Sequence, residues 1–262
     1  VTGSIGDFVF FDVDGDGTYE TGDGDQPLAG VTVQLYNADT DTQVGSDATT
    51  DAAGNYSFTD ISAGNYYVVF TSLSGYTTST ASSGDNANNI TGTNGAGSTN
   101  DIAFDLATSD NLTIDAGFTG TASIGDTVYE DTDGNGSQGG SEPGIDAATV
   151  TVTWYGADGV LGGGDDVTYT ASTDGGGNYD VSGLPPGNYD VSVTSGAPAG
   201  STATQNIGGI TALALSAGAD YNDGDFGFEP APLGTIGDFV FFDVDGDGTY
   251  ETGDGDQPLA GV

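Results

Sequence analysis

Val31-Thr32-Val33-Gln34-Leu35-Tyr36 sets an apolar side chain at alternate positions from Val31 to Leu35. In an extended chain successive side chains face opposite sides, so such a run buries one face and wets the other. Tyr66, Val68 and Phe70 keep the same period, as do Val150, Val152 and Trp154. Gly (47 residues), Asn, Asp, Ser and Thr interrupt these runs at short intervals, as turns between strands require. No stretch sustains a helical period or is long enough to span a bilayer. The chain reads as all-β, built of tandem β-sandwich domains.

Working outward from that run, composition narrows the chemistry. The 262 residues include 40 Asp plus Glu and no Lys, Arg, His or Cys, for a formal charge of −40. High charge with few apolar residues is the mark of disorder. Here the hydrophobic fraction is 35% and the aromatic fraction 10%, and both are patterned. Without Lys or Arg there is no phosphate clamp and no basic patch for nucleic acid or an anionic membrane. Without His or Cys there is no Ser-His or Cys-His catalysis, no disulfide and no ordinary zinc site. Expected partners therefore exclude nucleic acid, and membrane insertion is not expected. No side-chain cation exists to pair with any carboxylate, so neutralising charge must come from solution.

The sequence also repeats. Ile5 to Val31 recurs without change as Ile236 to Val262, and a diverged copy begins at Ile124-Gly125-Asp126-Thr127-Val128-Tyr129. These copies divide the chain into a first sandwich over 1–120, a second over 121–231, and the start of a further copy of the first over 232–262. Linkers are expected at Phe118-Thr119-Gly120-Thr121 and at Phe228-Glu229-Pro230-Ala231-Pro232-Leu233-Gly234, the second stiffened by its prolines. Val262 falls inside an expected strand, so the chain reads as a window on a longer array with a period of 231 residues.

The acids concentrate where each copy begins. Asp12-Val13-Asp14-Gly15-Asp16-Gly17-Thr18-Tyr19-Glu20-Thr21-Gly22-Asp23 places oxygen side chains at loop positions 1, 3, 5, 9 and 12, with Gly at 6. Asp12, Asp14, Asp16, Thr18, Glu20 and Asp23 thus have calcium-loop spacing, in which alternate acids point inward and the Gly permits a sharp turn. Asp25 competes with Asp23 for the closing position. In the second copy the candidate ligands are Asp131, Asp133, Asn135, Ser137 and Glu142, with Glu142 at position 12. In the third they are Asp243, Asp245, Asp247, Thr249, Glu251, Asp254 and Asp256. Carboxylates ~4 to 5 Å apart repel by roughly 3 to 4 kcal/mol at an effective dielectric near 20. Several converging without a cation would offset much of a domain's stability of about 5 to 15 kcal/mol. Hard oxygen donors on a flexible Gly-rich loop suit Ca²⁺ better than Mg²⁺, which demands a strict octahedron. Flanks that read as strands disfavour an EF-hand, and a solvated acidic turn is the simpler alternative.

Other acids are less regular. Asp158, Asp165 and Asp166 bracket a Gly-rich stretch and form a candidate second ion site in the second sandwich, against a long solvated hairpin. Asp7 and Asp126 precede the main loops. Asp85, Asn86 and Asn88, and Asp220, Asn222, Asp223 and Asp225, are oxygen-rich but equally suit turns. Gly54-Asn55-Tyr56…Gly64-Asn65-Tyr66 is matched by Gly177-Asn178-Tyr179…Gly187-Asn188-Tyr189, each read as strand, tight turn, strand. Ile61 or Leu184 is expected to plug a sandwich end, with the tyrosines and Trp154 in the core. Asn55, Asn89, Asn111 and Asn135 open Asn-X-Ser/Thr sequons, a weak hint of glycosylation.

Taken together, Ile5-Gly6-Asp7, Asp12 to Asp25, Gly30-Val31-Thr32-Val33, Gly54-Asn55-Tyr56 and Gly64-Asn65-Tyr66 resemble the B domains of serine–aspartate-repeat surface adhesins. Ile124-Gly125-Asp126, Asp131 to Glu142, Thr149 to Val152, Gly177-Asn178-Tyr179 and Gly187-Asn188-Tyr189 carry the likeness through the second sandwich. Those domains are related to the collagen-adhesin B-type, Ig-like or prealbumin-like folds. The resemblance implies extracellular or cell-surface modules, rigidified by calcium and used as stalks or spacers. The Lys–Asn isopeptide crosslink of some relatives is impossible without Lys, and no LPxTG-like anchor is visible. The expected function is a structural, calcium-stabilised fibre or stalk, with other copies of itself and calcium ions as partners. The alternative is an adhesin or binding module that recognises a glycan or host protein through sandwich loops. No enzymatic activity is expected, since the acids follow calcium-loop spacing rather than a glycosidase pair.

Overall fold

The computed structural model describes residues 2–82, 88–94, 96–104, 110–232, 234 and 240–260. Among these residues the protein is all-β, with no helix. Residues Val1–Pro230 form one compact unit and Ala231–Val262 a second.

The first unit holds two β-sandwiches. In sandwich one, β1 (Gly3–Phe11) is the organising strand. It pairs antiparallel with β2 (Gln26–Pro27), and the alternating run at its centre forms β3 (Thr32–Asn37) in the facing sheet. Short β4 (Thr42–Gln43) and β5 (Ala48–Thr49) edge β3. Then β6 (Asn55–Ile61) returns antiparallel to β1, and β7 (Gly64–Thr71) antiparallel to β3. The sandwich is completed by β8 (Tyr76–Thr78), β9 (Ile102–Phe104), β10 (Asp110–Asn111) and β11 (Ala116–Gly120). Both β10 and β11 run parallel to β1.

Sandwich two repeats this plan. One sheet contains β12 (Ala122–Glu130), β15 (Asn178–Leu184), β17 (Thr202–Ala203), β19 (Asp220–Tyr221) and β20 (Phe226–Glu229). The other has the order β14 (Val167–Ser172), β13 (Thr149–Trp154), β16 (Gly187–Ser195), β18 (Ile210–Leu215). The pairing of β12 with β15 shifts register between Ala122 and Ile124, and β1 with β6 shifts between Gly3 and Ile5. The bulge is therefore copied along with the strands. In the second unit, β21 (Phe241–Phe242) pairs antiparallel with β22 (Gln257–Pro258).

Alternation decides burial. Val31, Val33, Leu35, Tyr66, Val68 and Phe70 lie in the core of sandwich one, and Val150, Val152, Trp154, Tyr189 and Val191 in that of sandwich two. Ile61 and Leu184 are buried as well. The matched motifs place the hydroxyls of their four core tyrosines, Tyr56, Tyr66, Tyr179 and Tyr189, on backbone carbonyls. Tyr56 Oη donates to Ile114 O at 2.6 Å, and Tyr179 Oη to Gly224 O at 2.7 Å. Residue 120 lies between the two cores, but the division is incomplete: Phe11, on β1, belongs to the core of sandwich two. No described helix is long and apolar enough to cross a membrane, which leaves β-barrels unaddressed.

Candidate metal centre

Each acidic loop leaves the end of the first strand of its copy. After β1 the chain turns at once, and Gly15 and Gly17 both adopt positive φ (75° and 87°), a region that side chains resist. The turn folds their N–H groups onto Asp12: Gly15 N donates to Oδ1 at 2.7 Å and Gly17 N to Oδ2 at 2.8 Å. Asp14 Oδ1 accepts from Asp16 N, and Asp16 Oδ1 from Thr18 N. One carboxylate oxygen from each of Asp12, Asp14 and Asp16 lies within 4.8 Å of the others. Asp12 is wholly buried while Asp14 and Asp16 are exposed, so the cluster opens to solvent on one side.

The closing position goes to Asp25. Its Oδ1 accepts from Val13 N at 2.8 Å and its Oδ2 from Glu20 N at 2.9 Å, tying the two ends of the loop together. Asp25 is buried, whereas Asp23 and Glu20 are exposed. Glu142 does the same work in sandwich two, accepting from Thr132 N and Gly139 N, both at 2.7 Å. There Asp131, Asp133 and Glu142 form the convergent group. Asp131 takes Asn135 N at 3.1 Å and Gly136 N at 2.8 Å, while the Asn135 and Ser137 side chains stay exposed. In the second unit Asp243, Asp245 and Asp247 converge, and Asp256 accepts from Val244 N and Glu251 N. Thr249 N donates to Asp247, Glu251 is exposed, and Asp254 is half-buried.

Burial raises the first loop's buried acids, whereas Asp131, though wholly buried, is lowered, chiefly by the Thr204 side chain. Burial, augmented by Asp14, raises Asp12 above the ordinary carboxylate range. Asp25 is pushed up to about 6 by burial, with Asp12 and Asp14 adding to it. Glu20 is raised by Asp16 first of all. In contrast, Asp51 and Asp174 are lowered, chiefly by the backbone N–H groups of Asn55 and Asn178. Those two acids merely close local turns; the loop acids crowd one another. The donors are hard oxygens, mostly anionic, on a backbone with no side-chain cation anywhere in the sequence. That set fits a Ca²⁺-type ion.

Asp158, Asp165 and Asp166 are brought together differently. Asp165 Oδ2 accepts from Asp158 N, Asp158 Oδ1 from Val160 N, and Asp166 Oδ2 from Gly162 N. These bonds stitch the hairpin of 155–166. The other oxygens, Asp165 Oδ1 and Asp166 Oδ1, are buried without a hydrogen-bond partner. Asn88 is wholly buried and donates to Ser79 O at 2.9 Å, a structural role. Asp85 and Asn86 lie outside the described residues. Asp220 accepts from Ser123 Oγ, and Asp225 from Thr127 N.

One buried acid escaped the sequence reading. Asp115 is wholly buried, and together with Asp7 it raises the Tyr56 hydroxyl, after burial itself. Asp126 and Asp225 act likewise on Tyr179. The available signal was Asp115-Ala116-Gly117-Phe118 against Asp225-Phe226-Gly227-Phe228.

The family model of the SdrD B-like domain matches residues 3–118 and again 122–224. The chain belongs to this family. It is 34% identical over 270 aligned positions to serine-aspartate repeat-containing protein F of Staphylococcus epidermidis, across 99% of this chain and 14% of that protein. It is 33% identical to serine-aspartate repeat-containing protein D of Staphylococcus aureus strain Newman, across 95% of this chain and 18% of that protein. The chain thus spans less than one-fifth of these relatives' length. Among solved structures, the Bacillus anthracis TIE protein aligns with 86% of this chain and 34% of its own at TM-score 0.44 and 15% identity. The minor pilin GBS52 of Streptococcus agalactiae aligns with 90% of this chain and all of its own at TM-score 0.32 and 15% identity. Neither likeness is close enough to transfer a property.

Proposed function

We propose that the chain is a structural module of an extracellular, calcium-stabilised array, a fibre or stalk of repeated β-sandwiches. The observation that carries this reading is the triplet of convergent carboxylates at the head of every copy, in a protein that has no Lys, Arg or His to neutralise them. Asp12, Asp14, Asp16 and Asp25 would hold the ion in the first loop, and Asp131, Asp133 and Glu142 in the second. The ion supplies the positive charge that relieves their mutual repulsion and fixes the turn between the first two strands. The unchanged 27-residue copy favours a spacer, since an array gains reach by repetition. Membership of the SdrD B-like family supports the extracellular setting. The acids serve as ligands in this reading, and the module is not catalytic.

Calorimetric melting of the 262-residue chain, with Ca²⁺ and with excess chelator, tests the reading. Chelation is expected to lower the melting temperature, and re-addition of Ca²⁺ to restore it. An unchanged melting temperature would overturn the proposal.

A further inference from the structure

The outgoing end of sandwich one is apolar. Phe11, only 1% exposed, sits 5.4 Å from Trp154 at an interplanar angle of 70°, and 6.0 Å from Tyr76 at 84°. Val13 packs against the same core. Around this plug the backbones close in. A Cβ at Gly120 would lie 2.0 Å from the Leu184 carbonyl carbon, and one at Gly75 would lie 2.9 Å from Ala217 Cβ. Thr121 N donates to Gly75 O at 3.0 Å. A cleft of about 460 Å³, lined in part by Leu73, Ala157 and Pro186, flanks the rings, so the aromatic contacts carry this side of the joint.

Strand register shows what occupies the same places on sandwich two. Phe11 pairs with Phe118, and Glu130 with Phe228. Glu130 therefore stands where Phe11 does. Tyr76 pairs with Gly120, while Thr202 pairs with Glu229, which puts Ser201 at the place of Tyr76 and Pro230 at that of Gly120. The linker differs too: six positions separate Phe118 from Ile124, but eight separate Phe228 from Ile236. The plug, the close glycine and the short linker are all missing from the outgoing end of sandwich two.

We propose that the sandwich pair of residues 1–230 is one rigid element, joined by an aromatic plug that needs no bound cation. Apolar contact between Phe11, Tyr76 and Trp154 is indifferent to chelation, unlike a joint made of carboxylates and ions. The acidic loop also lies against sandwich two, since a Cβ at Gly24 would sit 3.6 Å from Val167 Cγ1, and next to it Gln26 Nε2 on β2 donates to Asp165 O. A cation-set joint is thus the rival account. The proposal deepens the array reading by naming the array's rigid step, and rests on that reading for its use.

Cysteine-free sequence makes the test direct. Spin labels at Ser46→Cys and Ser182→Cys, both exposed positions, report the distance between the sandwiches in the full chain. At saturating Ca²⁺ the distribution is expected to be narrow. Phe11→Glu, and more mildly Tyr76→Ser, transplant the residues of sandwich two and should at least double its width while circular dichroism stays native. In chelator the unsubstituted pair should stay narrow for as long as the β signal persists. A Phe11→Glu distribution as narrow as the parent's, or a parent that broadens in chelator with its β signal intact, overturns the proposal. Melting temperature, read on the same samples, separates this outcome from failure of the calcium reading: that reading falls if chelation leaves melting unchanged, whatever the label distances show.

Discussion

The loops at 12–25 and 243–256 have one sequence and two settings. Their internal bonds agree closely: Gly15 N to Asp12 Oδ1 is 2.7 Å and Gly246 N to Asp243 Oδ1 is 2.6 Å, while Gly17 and Gly248 each donate at 2.8 Å to the second oxygen. Yet Asp12 is wholly buried and raised by burial, whereas Asp243 is half-buried and lowered, chiefly by the Gly248 N–H. Loop shape is a local property, written in the Asp and Gly spacing. The electrostatic cost of Asp12 is imposed by the sandwich around it, a cost that Asp131, equally buried, escapes through the Thr204 side chain.

The largest expected effect of that difference is on cation affinity. Titration calorimetry of the full chain should resolve a class of tight Ca²⁺ sites and a class weaker by about tenfold, equivalent to about 1.4 kcal/mol. Asp243→Asn with Asp245→Asn should abolish only the weak class. Equal affinities at all three loops would break the comparison.

Stability offers the next cut. Asp12→Ala strands two loop N–H groups and should destabilise the main unfolding transition by about 3 kcal/mol, from charge-assisted bonds of about 1.5 to 3 kcal/mol each. Asp243→Ala, the same change in the same sequence, should shift that transition by less than about 0.5 kcal/mol, as at an ordinary surface site. Denaturant melts of both variants in Ca²⁺ would decide.

A smaller contrast lies within the first loop. Asp25→Asn should weaken Ca²⁺ binding there several-fold, and Asp23→Asn about twofold or less, because Asp25 ties the loop closed while Asp23 faces solvent. Competition against a fluorescent chelator resolves the two.

The smallest effect is one of pH and uses sandwich two. Asp126 is pushed up to about 6 by burial and then by Asp225, from an ordinary value of 3.8. The folded state therefore holds more protons between these values, and this group's contribution to stability falls as pH rises through roughly 4 to 6. With chelator present, Asp126→Asn should flatten that slope and stabilise the chain at pH 7. A denaturation series that showed the same slope in the variant would remove Asp126 as its source.

Much of this was legible beforehand, for physical reasons that differ from place to place. Alternation in Val31 to Tyr36 reports burial directly, because a strand has only two faces. Spacing of Asp12, Asp14 and Asp16 reports convergence, because a tight glycine turn leaves alternate side chains few directions to point. The choice between Asp23 and Asp25 was not legible, since it depends on which carboxylate reaches the Val13 and Glu20 amides. Nor was the joint. Period two says that Trp154 is buried, but nothing in it says that Phe11 is buried in the neighbouring sandwich's core.

The plug at Phe11 bears on the mechanics of any longer filament of such chains. Joining two sandwiches into one step halves the places at which thermal bending and applied load can collect. Tightening the packing of Phe11, inside a step already stiff, would leave such a filament no straighter.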